Sequence, residues 1–147
     1  MQASRIPDRA RLEELADTNG IPTAAVLAVA WIETHDNLDP HIRGHHCWWE
    51  RKIFVGDVAR KLVHHERNCE VGRFQIKPQT AIARCPGYDV FTYEGNLNCF
   101  AKMFGEDMEA KGVLFAITNH NGHGDLATEY LARALAVGGR IAFTGEP

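Results

Sequence analysis

The run Ile21-Pro22-Thr23-Ala24-Ala25-Val26-Leu27-Ala28-Val29-Ala30-Trp31-Ile32-Glu33-Thr34 decides how this chain folds. Pro22 fits the start of a helix and Thr23 suits its N-cap, so a helix is expected through about Thr34. Its side chains are apolar nearly all round, which places it in the middle of a core rather than on a surface. The apolar stretch 24–32 is too short to span a bilayer, which takes about 20 such residues. At its end stands a carboxylic acid, Glu33, with Val26, Val29 and Ala30 one or two turns back on the same face. Partial desolvation would raise the pKa of such a carboxyl and let it hold a proton near neutral pH, as a general acid must. The plainer alternative is a glutamate that reaches solvent or pairs with an arginine.

Outward from this helix the pattern stays helical. Asp8 is placed to cap a helix over Arg9 to Asp17, stopped by Asn19-Gly20. From Asp36 to about Phe54 the pattern is irregular, and Asp57 is expected to cap a helix over Val58 to Glu66. A turn at Val71–Ile76 leads into a helix from Pro78 to Arg84, closed by Cys85-Pro86-Gly87. Further helices are expected over Gly95 to Lys111, over Val113 to about Thr118 with a break at Asn121-Gly122, and from a cap at Asp125 to Val137, stopped by Gly138-Gly139. The sum is an all-α, single-domain chain with an irregular insertion at about 36–70.

Composition narrows the partners. The 147 residues are 45% hydrophobic and 24% charged, enough for one well-packed core. Net charge is −3 with no Lys/Arg run, which argues against sequence-independent nucleic-acid binding and against anionic membranes. No apolar signal segment stands at the N-terminus as given.

Two further clusters carry donors and acceptors. In Gly72-Arg73-Phe74-Gln75-Ile76 a glycine permits a close turn, and Gln75 can read hydroxyls or an amide. Thr118-Asn119-His120-Asn121-Gly122-His123-Gly124 is a helix-breaking, hydrogen-bonding loop. Either could be turn chemistry alone.

In this order the clusters resemble the transglycosylase SLT domain, the lysozyme-like fold of lytic transglycosylases. The segment Ile21 to Glu33 is similar to that family's opening helix, which ends in the catalytic Glu. Gly72-Arg73-Phe74-Gln75-Ile76-Lys77-Pro78-Gln79-Thr80-Ala81 resembles its G-L-M-Q-I-x-P-x-T-A motif, and Asn96-Leu97 its N-I pair. Ala116-Ile117-Thr118-Asn119-His120-Asn121-Gly122 resembles its A-x-x-Y-N-(A/G)-G loop, and Tyr130-Leu131-Ala132-Arg133-Ala134-Leu135 its closing Y-V-x-x-V-L. The likeness covers about residues 20–136. Thr34 stands for the usual Ser, His120 stands where the family has Tyr, and the stretch between Glu33 and Gly72 is about twenty residues longer. Within that stretch Cys47-Trp48-Trp49-Glu50-Arg51-Lys52-Ile53-Phe54 is similar to the F-E-R-H-x-F segment of phage and bacterial N-acetylmuramidases.

The resemblance implies a lysozyme-like domain that cleaves the β-1,4 bond between N-acetylmuramic acid and N-acetylglucosamine in peptidoglycan. Glu33 would act as acid and then base, leaving 1,6-anhydromuramoyl ends. Hydrolysis of the same bond, glycan binding without catalysis, and a zinc-stabilised interaction module remain the other readings. Gln75, Phe74, Asn121, His120, Glu50 and Tyr130 are the candidate substrate contacts, with Trp48 and Trp49 as further sugar platforms. Asp36, Asp39, Glu50 and Glu70 are candidate second carboxylates for a hydrolase. The expected partners are glycan strands, the setting the periplasm or cell wall, with a phage lysis or virion protein as one origin, and the working form a monomer.

No cofactor is expected. His45-His46-Cys47 and His64-His65 with Cys69 carry zinc-ligand residue types, but their spacing matches no finger, knuckle or ribbon, and no metal is assigned. Solvated histidines with a Cys47–Cys69 bridge are the plainer reading. Cys85 and Cys99 flank a short loop between helices, where a second bridge is possible; four reduced thiols would suit a reducing compartment equally well.

Overall fold

A computed structural model describes residues 4–34, 70–121 and 124–147, with Thr34 described through its backbone. The expected helix at 58–66, Asp36, Asp39, Glu50, the Trp48-Trp49 pair, Cys47, Cys69 and the histidines at 45, 46, 64 and 65 lie outside these residues. The fold is all-α, with six helices among the described residues: α1 (Arg9–Asn19), α2 (Thr23–Thr34), α3 (Pro78–Arg84), α4 (Tyr93–Lys111), α5 (Val113–His120) and α6 (Asp125–Thr144). No described helix is long and apolar enough to cross a membrane. The chain divides into two compact units, one made of Met1–His35 with Ala101–Pro147 and the other of Asp36–Phe100; α4 begins in the second and ends in the first.

The first unit is built around α2. Ala25 through Ala30 are all buried, six consecutive positions, so every face of the helix is covered. α1, α5 and α6 do the covering. α1 contributes Leu12, Leu15 and Ala16, spaced to fall on one side. It ends in a left-handed Gly20 (φ 64°), whose N–H donates to Asp17 while the N–H of Ile21 donates to Ala16. That paired closure satisfies two orphan carbonyls and turns the chain directly into α2. Asp8 stands at the N-cap of α1 as expected, but its carboxylate makes no capping hydrogen bond.

α6 departs from the sequence expectation at both ends. Gly124, not Asp125, is its N-cap, and the helix runs through Gly138-Gly139 to Thr144. Its buried positions Ala127, Tyr130, Ala134, Val137 and Ile141 repeat every three to four residues and form a seam against α2. Ile141 anchors the turn beyond the glycines, and that tertiary contact outweighs the ~1 kcal/mol by which each glycine disfavours a helix. A side chain at Gly138 would lie 3.6 Å from the Ala24 carbonyl and 3.7 Å from Ala28 Cβ, so this is where α6 comes close to α2. The end of α6 is fastened to the N-terminal segment. Arg9 donates to the Gly145 carbonyl and pairs with Glu146 at 3.5 Å, and the backbone N–H of Arg5 donates to Glu146 at 3.0 Å.

In the second unit α3 starts with Pro78 in its first turn and runs to Arg84, as the sequence indicates. α4 starts two residues before the expected Gly95. Thr92 supplies the cap, its hydroxyl accepting from Gly95 N–H at 3.0 Å while its carbonyl accepts from Asn96 N–H. A Cys85–Cys99 disulfide joins the end of α3 to α4, and no described cysteine is free.

Candidate functional site

The first unit gathers three of the residues singled out from the sequence. Glu33 reaches the rim of the core because α2 carries it there one turn after the buried Val29 and Ala30. Its side chain is 14% exposed. Tyr130 belongs to the α6 seam facing α2 and is itself buried, and its hydroxyl donates to Glu33 Oε1 at 2.7 Å. His120 is the last residue of α5, where Asn121 ends the helix. Its imidazole is 8% exposed, with Nε2 3.6 Å from the same Oε1. That separation is too long for a hydrogen bond but close enough for an ion pair when the ring is protonated. The His120 and Tyr130 rings lie 6.4 Å apart at a tilt of 45°.

Both neighbours therefore converge on one carboxylate oxygen. A mostly buried carboxyl oriented by the Tyr130 hydrogen bond is suited to proton transfer. α5 is itself braced near this point: Asn119 donates to Asp107 of α4 at 2.9 Å. Tyr130, expected as a substrate contact, is buried with its hydroxyl on the acid. Asn121 is exposed at the end of α5, its N–H donating to Thr118, while Gly122 and His123 lie outside the described residues.

Phe74 and Gln75 belong to the second unit. Val71 and Ile76 exchange both backbone hydrogen bonds, at 3.0 and 2.9 Å, and close a tight loop over Gly72–Gln75. Gly72 (φ 76°) makes the turn, and Gln75 follows at φ 50°. Gln75 is buried, and its side-chain amide donates to the Gly72 carbonyl at 2.8 Å, so that hydrogen serves the loop rather than a ligand. Phe74 is fully buried and stacked on Phe100 with centroids 3.7 Å apart, which corrects its expected use as an exposed sugar platform. The ring fills the core because the loop's hydrogen bonds turn it inward. Glu70, a candidate second carboxylate, is partly buried just before this loop.

The residue that organises the loop is Asn96, which the sequence brought out only as part of a motif pair. It is fully buried; its Oδ1 accepts from Phe74 N–H at 2.9 Å, and its Nδ2 donates to the Val71 and Val90 carbonyls at 2.9 and 3.0 Å. The available signal was an amide among the apolar positions of a helix, which must find partners once buried. Gly72 is matched to it: a Cβ there would fall 2.2 Å from Asn96 Nδ2.

Among the described residues no three His, Cys, Asp or Glu side chains gather as a metal site. Comparison of the chain with protein-family models, with curated proteins and with solved structures gives no match in any of the three.

Proposed function

We propose that this protein cleaves the β-1,4 glycosidic bond between N-acetylmuramic acid and N-acetylglucosamine in peptidoglycan, with Glu33 as its acid and then its base. The observation that carries the reading is the oriented Glu33 carboxyl, set at the end of the buried α2 with Tyr130 hydroxyl 2.7 Å from Oε1. The motif order in the sequence, which resembles lytic transglycosylases, supports the same choice.

In this reading Glu33 delivers its proton to the glycosidic oxygen as the bond to muramoyl C1 breaks. The N-acetylglucosamine side leaves as an alcohol, and positive charge develops at C1 and the ring oxygen. The new carboxylate is stabilised by the Tyr130 hydrogen bond, a charge-assisted bond stronger than the one to the neutral acid. It then takes the proton of the muramoyl C6 hydroxyl as O6 bonds to C1. A 1,6-anhydro ring forms, and Glu33 returns to its protonated state. Asn121, exposed beside the acid's neighbour His120, remains the candidate for holding the glycan in this unit. The substrate is a glycan strand, the working form a monomer and the setting the bacterial cell wall, with a phage lysis or virion protein as one origin.

Release of soluble fragments from purified peptidoglycan by wild type and by Glu33→Gln tests the reading. Glutamine preserves shape but has no proton to give, so release should fall at least ~1,000-fold, the scale of losing a general acid together with its second role as base. Equal release by the two proteins would contradict it.

A further inference from the structure

We propose that His120 is the counter-charge of Glu33, a positioning residue whose imidazolium stabilises the carboxylate formed when Glu33 gives up its proton. This rests on the reading of Glu33 as the acid. The proposal concerns a feature of this chain: the resemblance would place a tyrosine here, which donates a hydrogen bond but stays neutral over the working pH range, whereas imidazole carries a charge that can be switched.

Three observations converge on the pairing. Nε2 of His120 stands 3.6 Å from Glu33 Oε1, and both side chains are mostly withdrawn from water, where charges are weakly screened. His120 is the last residue of α5, and the negative end of the helix dipole favours a cation there. The phenol of Tyr130, from α6, donates to the same Oε1, so the carboxylate is held in place for the imidazolium to act on. Among the described residues, Glu33 of α2 and Tyr130 of α6 bring titratable groups to the ring. Asp107 of α4 is tied to the neighbouring Asn119. In the cleavage step His120 keeps its proton, and no bond to it forms or breaks. Its charge makes Glu33 a readier donor and the resulting carboxylate a weaker base.

Two measurements test this. The first does not depend on activity: NMR titration of the Glu33 side-chain carboxyl in wild type and His120→Gln, its signal picked out by its loss in Glu33→Gln. Removing the imidazole should raise the midpoint of the carboxyl's titration, because the protonated ring favours the carboxylate. An unchanged midpoint in His120→Gln would overturn the proposal whatever the protein does to peptidoglycan. The second is the pH profile of fragment release by wild type, His120→Gln and His120→Tyr. Where Glu33 and the ring are both protonated, wild type should exceed both variants by about tenfold, and it should draw level with them above the imidazole titration. Parallel profiles at all pH values would reduce His120 to packing and overturn the proposal. A wild type that releases nothing, with the midpoint shift present, would instead sink the peptidoglycan reading and leave the Glu33–His120 pair standing.

Discussion

Replacing Tyr130 by Phe removes one hydroxyl and leaves the α6 seam filled. The lost group is the donor 2.7 Å from Glu33 Oε1. A hydrogen bond to a charged partner contributes about 1.5–3 kcal/mol, roughly twice a neutral one. Before proton transfer the bond meets a neutral acid, and after it a carboxylate. The barrier therefore rises by only the difference, about 1–2 kcal/mol, which corresponds to a rate about 5- to 30-fold lower. Folding should suffer less. Glu33 retains some solvent access, so water can take over part of the bond, and a loss of about 1 kcal/mol or less is expected. The assay pairs the initial rate of fragment release with thermal unfolding of the same preparations. A rate within twofold of wild type in a fully folded Tyr130→Phe would refute the argument that this hydroxyl stabilises the working carboxylate.

Other substitutions probe the frame that positions these groups. Gly72→Ala would force a Cβ to 2.2 Å from Asn96 Nδ2 at φ 76°, so stability should fall by more than ~3 kcal/mol, read by denaturant unfolding. Gly138→Ala should do the opposite: its new methyl group meets Ala24 and Ala28 at ordinary contact distance, and about 0.5–1 kcal/mol of stability is expected from helix propensity alone. At the termini, the Arg5 backbone N–H first, then Ser4 and the charges of Arg9 and Arg5, hold the Glu146 carboxyl below its ordinary 4.5. Since the folded value is the lower one, this contribution to stability is present above about pH 4.5 and is lost as pH falls through the depressed value. Glu146→Gln should therefore flatten part of the acid side of a melting-temperature profile without changing fragment release at neutral pH.

The sequence made the centre of the fold legible because each signal there was local and unopposed. Pro22-Thr23 opens α2, unbroken apolar residues bury it, and Gly20 and Pro78 sit where a left-handed closure and a first helical turn require them. The place of Glu33 was legible for the same reason, as the acid near the end of an almost wholly apolar helix, and its catalytic role is the proposal that rests on that place. The misreadings came where a distant contact decided the outcome. Gly138-Gly139 reads as a stop, yet Ile141 packs into the first unit's core and carries α6 onward. Phe74 reads as a sugar platform, yet the turn held by Asn96 drives it onto Phe100. The target of Tyr130 lies 97 residues away, beyond any spacing rule.

The most direct test of the central claim is the mass of the fragments that wild type releases from purified peptidoglycan. Fragments one water lighter than hydrolysis products, carrying 1,6-anhydromuramoyl ends, are expected. Reducing muramic acid ends would contradict the single-carboxyl mechanism and require a second carboxylate or a positioned water beside Glu33.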